Sequence, residues 1–254
     1  MRIVFWSLFI ALIIRTFVFQ VYRVPTSSMK NTLNEGDYIL VDKFAYGPRI
    51  PITPLSFPFG DVYSDLIQFP YLRIPGFSSV KHNDIIVFNY PLETEKPVDC
   101  RQPYVKRCAA LPGDSLIIEN GFIIINGKPL NDEHRLQSNC VRLKKTQYNP
   151  AFFPNHPAIK WNTDFMGPLY IPKKGGTIRL SPLNLVLYKR IIEVCEGNKL
   201  QSIGDSVFVN GKYCQSYTFK MNYFFALGDN RCASIDSRFW GFVPEDHLIG
   251  RVSE

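Results

Sequence analysis

The chain has 254 residues, 46% of them hydrophobic and 20% charged. That is enough apolar material for one large domain or two small ones, and too much for a disordered chain. The net charge is +7, but no Lys/Arg run or zinc-finger spacing accompanies it, which argues against a nucleic-acid partner. An anionic lipid surface and a basic surface without a partner both fit the charge. Six cysteines, Cys100, Cys108, Cys140, Cys195, Cys214 and Cys232, form no C-x-x-C pair. Their spacing argues against zinc and leaves both disulfides and buried thiols open.

In chain order, Ile3 to Tyr22 is a nearly unbroken apolar stretch with one charge, Arg15. Its length predicts a membrane-spanning helix, with Arg15 toward the far end, where a long side chain reaches headgroups. A cleavable leader is the competing reading, but Thr16 to Val24 contains no small-x-small cleavage site, so an uncleaved anchor is preferred. Arg2 on one side and Arg23 and Lys30 on the other leave its orientation undecided. Pro25 and the Thr26-Ser27-Ser28 run then argue against a continued helix. Tyr38 to Phe44 predicts a strand. Tyr46 to Ser79, rich in Pro, Phe and Gly, predicts an ordered loop or ribbon whose aromatics suit a membrane interface. Asp84–Asn89 predicts a strand, as does Tyr223 to Leu227, and Asn120-Gly121 and the Val207–Tyr213 stretch predict hairpins. Residues 131 to 200 are polar, irregular and proline-containing, with little helical periodicity.

Two residues carry a candidate chemistry. Ser28 is a candidate nucleophile, and a serine hydroxyl needs a base to take its proton. The four histidines, His82, His134, His156 and His247, lie in no recognisable triad motif. Lys106 is the alternative base. A lysine at its ordinary pKa is charged at neutral pH, but an apolar setting such as Tyr104, Val105, Ala109, Ala110 and Leu111 would supply favours the neutral amine. Taken alone, Lys106 reads as a surface charge and Ser28 as a cap or turn residue, and their spacing carries no information.

Three stretches together resemble the boxes of the bacterial type I signal peptidases, membrane-anchored serine peptidases of family S26. Thr26-Ser27-Ser28-Met29-Lys30-Asn31-Thr32-Leu33 resembles the serine box, and Gly36-Asp37-Tyr38-Ile39 through Lys43, with Tyr46-Gly47, the strand that follows it. Lys106-Arg107 with Leu111-Pro112-Gly113-Asp114 resembles the lysine box. Gly228-Asp229-Asn230-Arg231, Ser234, Asp236-Ser237-Arg238 and Trp240-Gly241 resemble the last box. Three positions depart from the family pattern: Asn31 stands where Pro is usual, Ala110 where Gly is common and Thr26 where Ser is frequent.

The resemblance implies a Ser/Lys dyad. Ser28 attacks the scissile carbonyl, and Lys106 takes the hydroxyl proton and returns it to the leaving amine. The Ser28 backbone N–H and the Thr26 hydroxyl hold the oxyanion, and Ser234 orients Lys106. Asp236 and Arg238 form an ion pair supporting the site, and Asp229 and Asn230 supply the turn that places it. No metal or other cofactor is implied. The implied substrates are secretory preproteins, bound as an added strand and cut after small residues at −3 and −1. Membrane lipid is the other implied partner, nucleic acid is not, and the oligomeric state is left open. The implied place is the inner membrane, single-pass, with catalysis on the extracytoplasmic side. The fold expected is mainly β: an antiparallel catalytic core with a smaller β insertion, preceded by one N-terminal transmembrane helix. The expected boundaries are an anchor over 1–22, core over 23–130, insertion over 131–204 and core again over 205–254. The rival readings are a relative dedicated to one secreted partner, a self-cleaving Ser/Lys regulator with a DNA-binding domain, and a non-catalytic membrane-anchored β scaffold. The apolar segment argues against the regulator, and the joint presence of Ser28, Lys106 and Ser234 against the scaffold.

Overall fold

The apolar N-terminus is helical only as far as Phe17. The computed structural model describes residues 2–56, 62–132, 140–204 and 206–253. Helix α1 (Arg2–Phe17) has 16 residues, about 24 Å at 1.5 Å per residue, short of a hydrocarbon core of roughly 30 Å. No helix among the described residues is long and apolar enough to cross a membrane. The transmembrane helix expected over Ile3–Tyr22 is therefore not found. The cause lies in its second part: Phe19–Arg23 is strand β1, paired antiparallel with β2 (Tyr38–Asp42) in the register Phe19↔Asp42 to Arg23↔Tyr38. Its aromatic and β-branched residues at alternate positions suit a pleated surface, and the strand partner satisfies the backbone groups that a longer helix would bond internally.

The remaining strands follow in order. β3 is Ile85–Asn89, β4 Pro103–Ala110, β5 Ser115–Glu119, β6 Phe122–Ile125, β7 Lys128–Pro129, β8 Phe165–Tyr170 and β9 Thr177–Arg179. Helix α2 (Pro182–Arg190) precedes β10 (Leu200–Ile203), β11 (Ser206–Val209), β12 (Lys212–Tyr213), β13 (Ser216–Thr218) and β14 (Tyr223–Leu227). A one-turn helix α3 (Ser237–Trp240), β15 (Val243–Pro244) and β16 (Leu248–Val252) complete the chain. The fold is mainly antiparallel β, as the sequence predicts.

The chain divides into two compact units. The first comprises Met1–Cys108, Gly228–Ser234 and Asp246–Glu254. Its strands run β1-β2-β16-β3-β4, all neighbours antiparallel, over a core of Val24, Ile39, Val41, Val87, Ile249 and Val252. Between β2 and β3, the described residues 48–56 and 62–74 are joined as an irregular ribbon by Ile50 N to Leu72 O (2.9 Å), Phe69 N to Ile52 O (2.8 Å) and the bridge Arg49↔Arg73. Its apolar side chains Val62 and Leu66 face solvent, as does Phe77 just beyond it.

The second unit is Ala109–Leu227 with Ile235–Glu245. It holds a four-stranded sheet, β7-β6-β5-β8, and the smaller ribbons β10-β11-β12 and β13-β9. The Asn120-Gly121 hairpin joins β5 to β6 and Asn210-Gly211 joins β11 to β12, both with the positive φ pair that such two-residue turns require. β14 is buried at every position. Helix α2 falls in the stretch expected to be irregular. Ser181 caps it through the Asn184 N–H at 3.2 Å, with Pro182 in its first turn. Cys140 and Cys232 each take part in a disulfide, whereas Cys100, Cys108, Cys195 and Cys214 are not disulfide-bonded.

Candidate active site

The serine stretch leaves β1 and turns at once. Val24 N donates to Asp37 O and Gly36 N to Val24 O, each at 2.8 Å, which closes the loop onto the start of β2. Within that loop Ser27–Met29 forms a single 3₁₀ turn. Met29 is fully buried and anchors the turn, and Ser28, 7% exposed, is carried inward with it. Thr26 stands at the N-cap with extended backbone, yet its side chain makes no cap bond. Its hydroxyl instead donates to Ser28 Oγ at 3.3 Å.

Lys106 comes from the middle of β4, paired with Ile86 of β3. It is 4% exposed. Its Nζ donates to Ser28 Oγ at 2.6 Å, across 78 residues of sequence, and to Val105 O at 3.0 Å. The amine also lies 5.6 Å from the centroid of the Tyr104 ring, which stacks on Tyr90. Thus the two candidate residues, each ambiguous in sequence, meet as a buried pair. His134 lies outside the described residues.

Alternation along β4 sends Arg107 to the opposite face from Lys106. There its guanidinium grips Asp229 with both arms, Nε to Oδ1 at 2.8 Å and NH2 to Oδ2 at 2.7 Å. Asp229 is fully buried and also accepts from the Thr32 hydroxyl at 2.6 Å. Arg107 further donates to Asn83 O at 2.7 Å. Asn230 completes the link: its backbone N donates to Ser28 O and its Nδ2 to Ser27 O, both at 3.1 Å. One carboxylate thereby ties the serine turn, the lysine strand and the last box together. A bidentate pair suits this task because it fixes orientation as well as distance. Sequence reasoning left Arg107 undecided and gave no role to Thr32. The period-2 rule on β4 identifies the face of Arg107, but nothing local points to a partner 122 residues away.

Ser234 is 5% exposed, and its Oγ has no hydrogen-bond partner among the described residues. The expected bond to Lys106 is thus not formed in this arrangement. Its position is set by Gly228: a Cβ built there would come within 2.1 Å of Ser234 Oγ and 2.6 Å of Ser28 O. Asp236 and Arg238 belong to the second unit, where they form a buried bidentate pair, Nε to Oδ1 and NH2 to Oδ2 both at 2.8 Å. Asp236 also caps α3 through the Arg238 N–H.

The Asn31 departure has a local cause. Asn31 has φ of 86°, a left-handed conformation that Asn tolerates and that the proline ring, fixed near −65°, does not reach. Asn31→Pro is therefore expected to destabilise the protein by about 1–3 kcal/mol, read in urea unfolding, whereas Asn31→Gly leaves stability nearly unchanged. Equal midpoints for wild type and Asn31→Pro would refute this reading of the turn.

Comparison with known proteins gives the class first: a serine peptidase, a hydrolase. The chain belongs to the signal peptidase family, peptidase S26, whose match runs over residues 1–254. It is 30% identical to the signal peptidase I of Buchnera aphidicola subsp. Schizaphis graminum over 98% of this chain and 72% of that protein. It is 31% identical to that of Buchnera aphidicola subsp. Baizongia pistaciae over 96% and 72%, and 28% identical to that of Helicobacter pylori strain J99 over 96% and 77%. A solved signal peptidase I from Enterococcus faecalis V583 is 21% identical, covering 69% of this chain and 98% of its own, with a TM-score of 0.34.

Proposed function

We propose that this chain cleaves signal peptides from exported preproteins with Ser28 as nucleophile and Lys106 as general base. The observation that carries this reading is the 2.6 Å contact between Lys106 Nζ and Ser28 Oγ, two buried groups from distant parts of the chain. With the amine neutral, the same contact runs from hydroxyl to nitrogen. Ser28 Oγ attacks the scissile carbonyl carbon as its proton passes to Lys106. The carbonyl oxygen becomes an oxyanion, held by the Ser28 N–H and the Thr26 hydroxyl. The Ser28 N–H lies in the first turn of its 3₁₀ segment, where N–H groups have no partner inside the helix, and the Thr26 hydroxyl lies within 3.3 Å of Ser28 Oγ. As the tetrahedral intermediate collapses, Lys106 protonates the leaving amine and an acyl ester remains on Ser28. Water then attacks that ester, giving its proton to Lys106, which returns it to Ser28 Oγ as the acid leaves. Asp229 and Asn230 hold the serine turn against the lysine strand, and Asp236 and Arg238 brace the second unit. Specificity for small residues at −3 and −1 follows from the family resemblance, as does an extracytoplasmic site of action. Attachment to the membrane is supported by α1, which has no buried residue and between Ile3 and Ile14 carries Ser7 as its one polar side chain, and by the exposed apolar ribbon.

The test is incubation of the purified protein with a preprotein in detergent, with the product identified by mass spectrometry. Cleavage at a single bond after a small residue, abolished when that residue is made bulky, is expected. Cleavage elsewhere, or none with the wild-type chain, would overturn the proposal.

A buried hydroxyl without a partner calls for one, and the proposal gives Ser234 the neutral amine of Lys106 during turnover. Ser234→Ala is then expected to lower kcat roughly tenfold to a hundredfold, the worth of one hydrogen bond of about 1–3 kcal/mol. KM should be nearly unchanged and the acidic limb of the pH profile displaced. An unaltered kcat and pH profile in the folded variant would remove Ser234 from the site.

A further inference from the structure

We propose that a cavity of about 570 Å³ below the C-terminal turns of α1 binds the phosphate head of an anionic lipid. Four cationic side chains line it, Arg15, Lys43, Arg49 and Arg101, against one carboxylate, Asp99. Asp99 is already engaged, accepting from the Thr53 backbone N at 2.7 Å and from its hydroxyl at 2.9 Å. Lys43 Nζ donates to two backbone carbonyls at the end of α1, Arg15 O at 2.8 Å and Thr16 O at 3.2 Å. Arg49 donates to Asp246 O at 2.6 Å and Asn89 Oδ1 at 2.8 Å. Lys43 is thus met by neutral acceptors alone, while the charges of Asp99 and Asp246 act on Arg49 without a direct hydrogen bond to its guanidinium. Burial, and then the charges of Arg49 and Arg15, pull the Lys43 ammonium down to about 8. That is the condition an anion in the cavity would relieve.

The walls fix the chemistry further. Leu12 and Phe17 of α1 line the same space, so a charged floor meets an apolar wall. A free phosphate would use only the first, whereas a phosphodiester carrying glycerol and acyl carbons would use both. The volume is in the range of pockets that hold a small ligand. None of Ser28, Lys106, Thr26 or Ser234 lines the cavity, so it is separate from the candidate active site. The choice of a lipid as the source rests on the reading of α1 as membrane-facing.

The experiment titrates the full chain with dihexanoyl phosphatidylglycerol below its micelle concentration, by isothermal titration calorimetry. Dihexanoyl phosphatidylcholine and inorganic phosphate serve as comparisons. Saturable 1:1 binding of phosphatidylglycerol is expected, at least tenfold tighter than either comparison. Lys43→Gln should weaken it tenfold or more and Lys43→Arg should retain it. Should Lys43→Gln fail to fold, Val62→Trp fills the cavity from a residue that lines it and is 73% exposed, and it must abolish binding. No saturable binding, or equal binding by the variants that should lose it, overturns the site. Equal affinity for inorganic phosphate overturns the lipid as its source. Flotation with pure phosphatidylcholine vesicles reads attachment through α1, and preprotein cleavage in the same preparation reads catalysis. Each reading can therefore fail separately.

Discussion

Ser28→Ala and Lys106→Met are each expected to abolish cleavage, by on the order of 10³-fold or more, and the double variant is expected to be no worse than either single one. Groups that act as one unit lose the same function whichever member is removed. The motivating geometry is the 2.6 Å contact, with Lys106 only 4% exposed. Methionine keeps the length and apolar packing of the lysine stem while deleting the amine, so Lys106→Met should fold. Lys106→Arg should fail as well, because a guanidinium stays protonated and cannot accept the hydroxyl proton. On the proposed mechanism the working base is the neutral amine, so kcat/KM is expected to rise with pH. A stopped assay of preprotein cleavage across pH checks all of this. Near-normal turnover by Lys106→Met, or a double variant far worse than both singles, would mean that the base is another group.

Much of the fold is written locally. The Asn-Gly pairs at 120–121 and 210–211 specify tight turns by their tolerance of positive φ, and the strands they join lie where the pattern puts them. β3 and β14 were legible as short apolar runs, being buried at most or all of their positions. The N-terminus misleads because hydropathy alone does not separate a long helix from a helix followed by a strand. Phe19, Val21 and Tyr22 prolong the apolar run enough for either reading, and the antiparallel partner Tyr38–Asp42 decides it. α2 is obscured for the opposite reason. Of its residues only Leu187 and Tyr188 are buried, so no stripe of apolar positions marks it, and its capping serine and first-turn proline are the sole local signs. The candidate site was legible only through resemblance. Ser28, Lys106 and Asp229 are brought together by sheet order, and no spacing in a sequence reports that β4 will lie near a serine turn 78 residues earlier.

Gly228→Ala is expected to be the most damaging single substitution outside the dyad, lowering kcat roughly a hundredfold or more while leaving most of the fold intact. The added methyl carbon would lie 2.1 Å from Ser234 Oγ, 2.5 Å from Ser234 Cβ and 2.6 Å from Ser28 O, all closer than non-bonded carbon tolerates. The Ser234 hydroxyl can rotate away, but its Cβ and the Ser28 carbonyl belong to the framework of the site. That carbonyl is also held by Asn230 N at 3.1 Å, so relief means moving the serine turn and breaking the bond that fixes it. Displacement of a nucleophile by about 1 Å costs on the order of 10²-fold in rate, because Oγ, the amine of Lys106 and the scissile carbon must align together. The loss should fall on kcat rather than KM, since the substitution touches the placement of Ser28 and no residue assigned to substrate side-chain recognition. Steady-state kinetics on a preprotein substrate, with a urea unfolding curve for each variant, separates this from simple destabilisation. A Gly228→Ala protein that keeps wild-type kcat would show that the serine turn can shift without cost, and that Gly228 is not what sets the position of Ser28.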